Sequence, residues 1–260
     1  MNFKTIQIGK EKQIASIALN RPDVHNAFNE EMMEELRQVF MLFDQDNTVK
    51  VVVLKGHGPS FCAGADLAYM QSAAKKNHEQ NVEESLKMAT LFQIIQGLSK
   101  PVVALLQGAV FGGGIGLASV CDVVLADEHT RFAFSEVKLG LAPSVISPFV
   151  IRKIGIAQAN RFFLTGEVFK ADVAKQIGLV HDIYNSDTVE KMLAYVCDNL
   201  LLNSPQSMAE IKDLIQMNIE LSGEKLSLYT AEHIASLRTS EEGQEGLTAF
   251  FEKRKPKYSL

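Results

Sequence analysis

The chain has 260 residues, 47% of them hydrophobic and 22% charged, which is enough for one large soluble domain with a substantial core. Its net charge of −5 leaves no basic footprint for nucleic acid; Lys253-Arg254-Lys255 is the densest local basic patch. Three widely spaced cysteines, Cys62, Cys121 and Cys197, form no C-x-x-C pair, so neither a zinc knuckle nor a disulfide framework is indicated, and reduced thiols fit a cytoplasmic protein.

The opening Met1–Lys12 is polar and alternates like a strand, unlike a secretory leader. Phe3–Ile8 and Ile14–Leu19 alternate apolar and polar residues, which predicts a hairpin across 9–12. Asn29 is placed to cap a helix in which Met32, Met33, Leu36, Val39, Phe40 and Phe43 recur at helical spacing. Val49–Leu54 reads as a strand. Ala68–Lys87 is polar and reads as a flap or poorly ordered helix-loop, and Met88–Leu98 as a helix.

Pro101–Cys121 is a run of 21 uncharged residues, long enough for a bilayer. Gln107, three glycines and Ser119 within it favour a buried strand, Pro101–Leu106, followed by a buried helix, Gly113–Val120. Short strands are predicted at Val123–Ala126 and Phe132–Phe134. After Ile146 the strand signal fades, and helices are predicted at about 157–164, 170–177, 188–202, 205–220, 225–237 and 240–253. Alternating strands and helices argue for an α/β fold with parallel strands, and neither a repeat nor a linker interrupts it.

Two glycine turns carry the chemistry. Gly112-Gly113-Gly114 stands between an apolar strand and a helix, where unpaired N–H groups and the helix dipole favour a phosphate or a developing oxyanion. Phosphate motifs fail on spacing. A Walker loop from Gly108 requires lysine where Gly114 stands, and a dinucleotide fingerprint requires a small residue where Leu117 or Ser119 stands. The second turn, Ser60-Phe61-Cys62-Ala63-Gly64-Ala65-Asp66-Leu67, also runs into a helix, with Asp66 placed to cap it. Two amide-presenting turns are what a two-donor oxyanion hole needs. Cys62 reads as a small buried residue rather than a nucleophile, since no histidine lies close in sequence to activate it. G-x-S-x-G and H-E-x-x-H are absent from the chain.

Together these segments resemble the crotonase, or enoyl-CoA hydratase/isomerase, family. Leu19-Asn20-Arg21-Pro22, His25-Asn26-Ala27-Phe28, Phe61–Leu67, Gly108–Leu117, Cys121-Asp122, Phe134–Pro143, Glu245-Gly246 and Ala249–Pro256 carry the resemblance, in order and at family spacing. It implies a ββα spiral core over residues 1–195. A helical C-terminal region, 196–260, would serve trimerisation and active-site cover, with trimers often paired as hexamers. It also implies a soluble enzyme with no membrane partner, no metal and no cofactor apart from the coenzyme A carried by the substrate.

The resemblance further implies that the backbone amides of Ala65 and Gly113 hold the oxygen of an acyl-CoA thioester as it becomes enolate-like. Val24, Ala63, Asp66, Leu67 and Ala68 would line the coenzyme A groove, and Phe251 and Lys253 would reach a neighbouring subunit's coenzyme A. Family hydratases usually carry two glutamates. The second is present as Glu136, the catalytic acid/base; the first is replaced by Gly116, assigned to the substrate pocket. Water would then be delivered by Glu136 or held by a backbone group, Ser135 or Ser144. Residues 134–150 look like the subgroup of methylglutaconyl-CoA and related branched enoyl-CoA hydratases; a substrate with a distal carboxylate would want a basic partner, for which Arg152 and Lys153 are candidates by their proximity in sequence. Hydration of an enoyl-CoA is the expected reaction. Isomerisation of its double bond by a single glutamate is the alternative, and non-catalytic acyl-CoA binding a further one.

Overall fold

The computed structural model describes residues 3–259. Its strands are β1 (Ile6–Glu11), β2 (Ile14–Leu19), β3 (Val51–Gly56), β4 (Val102–Leu106), β5 (Ala109–Phe111), β6 (Val123–Asp127), β7 (Arg131–Ala133), β8 (Phe169–Lys170) and β9 (Asp182–Tyr184). Its α-helices are α1 (Glu30–Gln45), α2 (Leu67–Ala73), α3 (His78–Gln96), α4 (Gly113–Ser119), α5 (Ser147–Thr165), α6 (Ala171–Gln176), α7 (Val189–Leu201), α8 (Pro205–Glu220), α9 (Gly223–Thr239) and α10 (Glu241–Phe251).

Six strands form the main sheet in the order β1-β2-β3-β4-β6-β9. Only β1 and β2 pair antiparallel, as the predicted hairpin; the other neighbours are parallel. Apolar runs such as Val51–Leu54 and Val102–Leu106 are buried on both faces, the signature of a covered parallel sheet. Alternation along the strands divides them between two cores. Val52, Leu54, Val102, Ala104 and Leu106 join the main core, while Val51, Val53, Val103 and Leu105 pack towards α7. The Asn29 side chain accepts from the Met32 amide at 2.9 Å, and all six apolar positions predicted for α1 are buried.

The polar stretch 68–87 is ordered, not a flap. It contains α2 and the first half of α3, which an Asn77–Gln80 capping box starts ten residues before the predicted helix. The hydrophobic period is masked because Glu84 occupies an inward position of α3, where one of its oxygens is paired with Lys76. Strands β5, β8 and β9, each two or three residues long, were not predicted. The uncharged run 101–121 resolves into β4, β5 and α4. Among the described residues no helix is long and apolar enough to cross a membrane. The division at 195/196 falls inside α7, whose Met192, Leu193, Val196 and Leu200 pack against the sheet. The helices that stand apart begin with α8.

The chain leaves the C-terminal ends of β3 and β4 in two loops that are forced together. Phe61 N–H donates to the Gln107 carbonyl (2.8 Å), and Gln107 Nε2 donates to the Gly56 carbonyl (2.7 Å). Gly108 sits at the contact with φ +61°, and a Cβ there would lie 1.9 Å from the Pro59 carbonyl oxygen. Gly108→Ala therefore combines backbone strain with a clash that no rotamer relieves. The expected loss is at least about 2 kcal/mol in urea unfolding; an unchanged midpoint would mean that the two loops move independently.

Candidate active site

The 60–66 segment is an extended arm held on both sides. Cys62 N–H donates to the Ala109 carbonyl (3.2 Å) and Phe111 N–H to the Cys62 carbonyl (3.0 Å), a parallel bridge to β5. Further on, Phe28 N–H donates to the Gly64 carbonyl (2.8 Å) and Asp66 N–H to the Phe28 carbonyl (2.9 Å), a second parallel bridge between Phe28 and Ala65. In such a bridge the residue opposite Phe28 turns its own N–H away. The exposed Ala65 amide is thus left free, with no acceptor among the described residues.

Gly113 is the first residue of α4, so its amide has no intrahelical acceptor. The Phe28 ring lies 3.1 Å from where a Gly113 Cβ would be, and Gly64 abuts the Phe111 carbonyl. Phe28 therefore ties both turns to one side of the arm. Asp66 fixes the Ala65 turn. Its Oδ1 accepts from the Ala68 amide at 2.8 Å, capping α2, while its Oδ2 takes Arg21 Nη2 at 2.7 Å. Arg21 Nη1 also donates to the Ala27 carbonyl (2.6 Å), so one guanidinium joins the 27–28 strand to the cap. Burial alone would raise the Asp66 pKa, but Arg21 and the capping amides outweigh it and hold the carboxyl below its ordinary value.

Glu136 stands on a short 3-10 turn, Ser135–Leu139. Its Oε1 lies 2.9 Å from where a Cβ on Gly112 would be, and Gly112 has φ +46°; only glycine lets this carboxyl reach the N-terminus of α4. Burial pushes the Glu136 pKa above its ordinary 4.5, opposed by its own amide, and Oε2 is buried without a partner among the described residues. A carboxyl with an unpartnered buried oxygen, next to the free Gly113 amide, can move a proton beside an oxyanion held there.

Other predicted site residues fall into three groups. Val24, Leu67 and Ala68 are exposed on one rim, joined by Ala63 N–H donating to the His25 carbonyl (3.0 Å); Asp66 lies beneath as the cap. Phe251 is 77% exposed and Lys253 is exposed, but they stand at the C-terminal end of α10, from which the tail reaches Lys50 through the Tyr258 carbonyl at the start of β3, the sheet end opposite the site. In one chain they do not join it.

Gly116 is a correction. It opens no room for substrate, because Ile146 Cγ2 lies 2.3 Å and Phe92 Cε2 3.1 Å from where its Cβ would be. Arg152 and Lys153 are another. They line a cavity of about 640 Å³ against α8, at the opposite end of α4 from Gly113. There Lys153 Nζ donates to the Cys121 carbonyl (2.6 Å) and Arg152 to Gln216 (2.8 Å). Ser144 hydrogen-bonds within its own turn, to the Ala142 carbonyl. Cys62 is fully buried and its thiol is pushed up to about 12 by burial, which leaves it inert. Arg21, Phe28, Phe92 and Ile146 are the residues that sequence reasoning left without a role here; Arg21 and Phe28 stood in the motifs, while Phe92 and Ile146 carry no local signal.

The family model for enoyl-CoA hydratase/isomerase matches residues 9–259. The crystal structure of an enoyl-CoA hydratase from Shewanella pealeana superposes with a TM-score of 0.95 at 41% identity, covering 98% of this chain and 96% of that one. The mitochondrial enoyl-CoA hydratase of Pongo abelii is 31% identical over 96% of this chain and 85% of its own length. A trans-2-decenoyl-[acyl-carrier-protein] isomerase of Streptococcus mutans is 30% identical over 100% and 99%. This α/β chain belongs to the enoyl-CoA hydratase/isomerase, or crotonase, family.

Two outcomes follow from the geometry. Arg21→Ala loosens the clamp on the Ala65 turn and is expected to lower kcat by about 10²-fold, the scale of an ångström-level displacement, while circular dichroism stays native. Full activity in that variant would show that the Phe28 bridge alone holds the turn. For Glu136, the native state binds more protons than the unfolded chain between pH 4.5 and its raised value, so stability falls as pH rises through that window. Glu136→Gln removes this penalty. Its thermal midpoint should exceed that of the wild type by more at pH 7 than at pH 4, and an equal margin at both would contradict the burial of this carboxyl.

Proposed function

We propose that this protein hydrates the 2,3 double bond of an enoyl-CoA. The observation that carries the reading is the Glu136 carboxyl, which lays Oε1 against Gly112, next to the free Gly113 amide, and keeps Oε2 buried without a partner among the described residues. In the proposed step the Glu136 carboxylate takes a proton from water as its oxygen bonds to C3 of the acyl group. The electron pair of the double bond moves onto the thioester oxygen, where the Ala65 and Gly113 amides receive it. Each donor is worth about 2.7–4 kcal/mol by analogy with other oxyanion holes. Collapse of the enolate then draws the same proton from Glu136 to C2, which restores the carboxylate and completes the addition of water.

The likeness of residues 134–150 to branched enoyl-CoA hydratases supports 3-methylglutaconyl-CoA or a related branched thioester as substrate. A second reading is isomerisation of the enoyl-CoA double bond by Glu136 alone. It is favoured by the closed, apolar volume at Gly116, where no second carboxylate stands to hold water, and by the isomerase among the relatives. Binding of acyl-CoA without turnover is the remaining alternative.

The rim of Val24, Leu67 and Ala68 is assigned to the coenzyme A moiety. In an assembly of three or six chains, Phe251 and Lys253 would reach a neighbour's ligand. Ile211, Ile215 and Ile219, exposed at four-residue spacing on α8, offer an apolar face for such contacts. Three free, buried cysteines suit a reducing cytoplasm.

Crotonyl-CoA, 3-methylglutaconyl-CoA and a 3-enoyl-CoA, followed by the absorbance of the conjugated thioester, separate the readings. Loss of absorbance with a conjugated substrate, reduced 10²- to 10⁴-fold in kcat by Glu136→Gln with coenzyme A binding retained, is the expected result. A rise from the 3-enoyl-CoA alone would make the protein an isomerase, and no change with any of them would leave a binding protein.

A further inference from the structure

Gly112 and Gly116 lie one turn apart, since Gly116 N–H donates to the Gly112 carbonyl at 3.1 Å. Gly112 caps the N-terminus of α4 and Gly116 stands within it, one turn on. Over Gly112 stands the Glu136 carboxyl; over Gly116 stands the Ile146 side chain, with Cγ2 2.3 Å and Cβ 3.0 Å from where a Cβ would be. Ile146 is buried, and behind it Phe92 stacks edge-on with both Phe28 and Phe149, at centroid distances of 6.4 and 5.7 Å. Ile146 and Phe92 together thus fill the volume over Gly116.

We propose that Ile146, seated in the notch left by Gly116, is the specificity-determining residue that limits the acyl chain beyond C3. The inference rests on the acyl-CoA reading above. With the thioester oxygen at the Gly113 amide and C3 within reach of Glu136, the next carbons run along the same face of α4 and meet the Ile146 methyl. Glycine at 116 is then a packing requirement of the isoleucine: the pair works as knob and hole, and enlarging either member redistributes one fixed volume. The same pair explains why no carboxylate can be accommodated at position 116 without moving Ile146.

The test uses two unreactive thioesters, butanoyl-CoA and hexanoyl-CoA, titrated calorimetrically into the full-length protein. Ile146→Ala is expected to shift the ratio of their dissociation constants about tenfold towards hexanoyl-CoA, the scale of discrimination of one or two methylene groups. Ile146→Val, which removes a single methyl and keeps the fold, should shift it in the same direction by less. Gly116→Ala drives Ile146 towards the ligand and should shift the ratio the other way, and Gly116→Ala/Ile146→Ala should return it towards the wild-type value. A ratio unchanged within twofold in the Ile146 variants, with butanoyl-CoA still bound, overturns the proposal and leaves the hydratase reading intact. Failure of the wild type to bind either thioester overturns both. The expected shifts without turnover of any enoyl-CoA would uphold the role of Ile146 and overturn the hydratase reading alone.

Discussion

Everything in the candidate site depends on the double pairing of one extended arm. Residues 62–66 bond to β5 on one side and to Phe28 on the other, and the positive φ of Gly64 (+102°) lets the arm change partners between the two bridges. Without the first bridge the Ala65 turn would not lie near α4. Without the second, the Ala65 amide would have no reason to point away from Phe28. The hydrogen bonds themselves are ordinary; their effect is geometric, because each one made by a neighbour of Ala65 or Gly113 leaves those two amides free. An oxyanion hole is in this sense a pair of backbone donors deliberately left out of the local ladders.

Charge is used sparingly around this frame. The Arg21–Asp66 pair is mostly buried, with side-chain exposures of 21% and 10%, and it satisfies both partners through further bonds to backbone. That geometry offsets the desolvation cost that an isolated buried pair would carry. Glu136 has the reverse arrangement: it is partly buried with one oxygen unpartnered, which costs stability at neutral pH. Stability in the clamp and strain at the carboxyl lie within one constellation. This is the pattern expected where a proton must be exchanged.

The apolar side of the site is equally specific. Phe28 does two jobs, pairing its backbone with Ala65 and laying its ring against Gly113, and Phe92 links it to Phe149 and to the Ile146–Gly116 contact. Glycines are needed at 108, 112 and 116 for three different reasons: a backbone contact at Pro59, the approach of Glu136, and the seating of Ile146. Arg152 and Lys153, expected to meet a distal substrate group, are turned elsewhere: Lys153 bonds to Cys121 past the opposite end of α4, and Arg152 to Gln216 on α8.

Much of this was legible in the chain. The capping asparagine and core face of α1, the apolar parallel strands, the two amide turns, the Asp66 cap and Glu136 all rest on local spacing or on motifs read along the sequence, and each occupies its expected place in the fold. What remained hidden depends on distant residues. An inward Glu84 disguised the start of α3 because only its ion pair with Lys76 makes it tolerable there. Gly116 was assigned to the substrate pocket, since sequence records the loss of a side chain but not which neighbour fills the volume. That neighbour, Ile146, lies thirty residues away and meets Gly116 only through the packing of α5 on α4. Sequence alone determined which groups are available, because residue type and short-range spacing fix caps, turns and periodicity. Tertiary structure alone decided which of those groups face one another, because close packing assigns each volume to a single side chain.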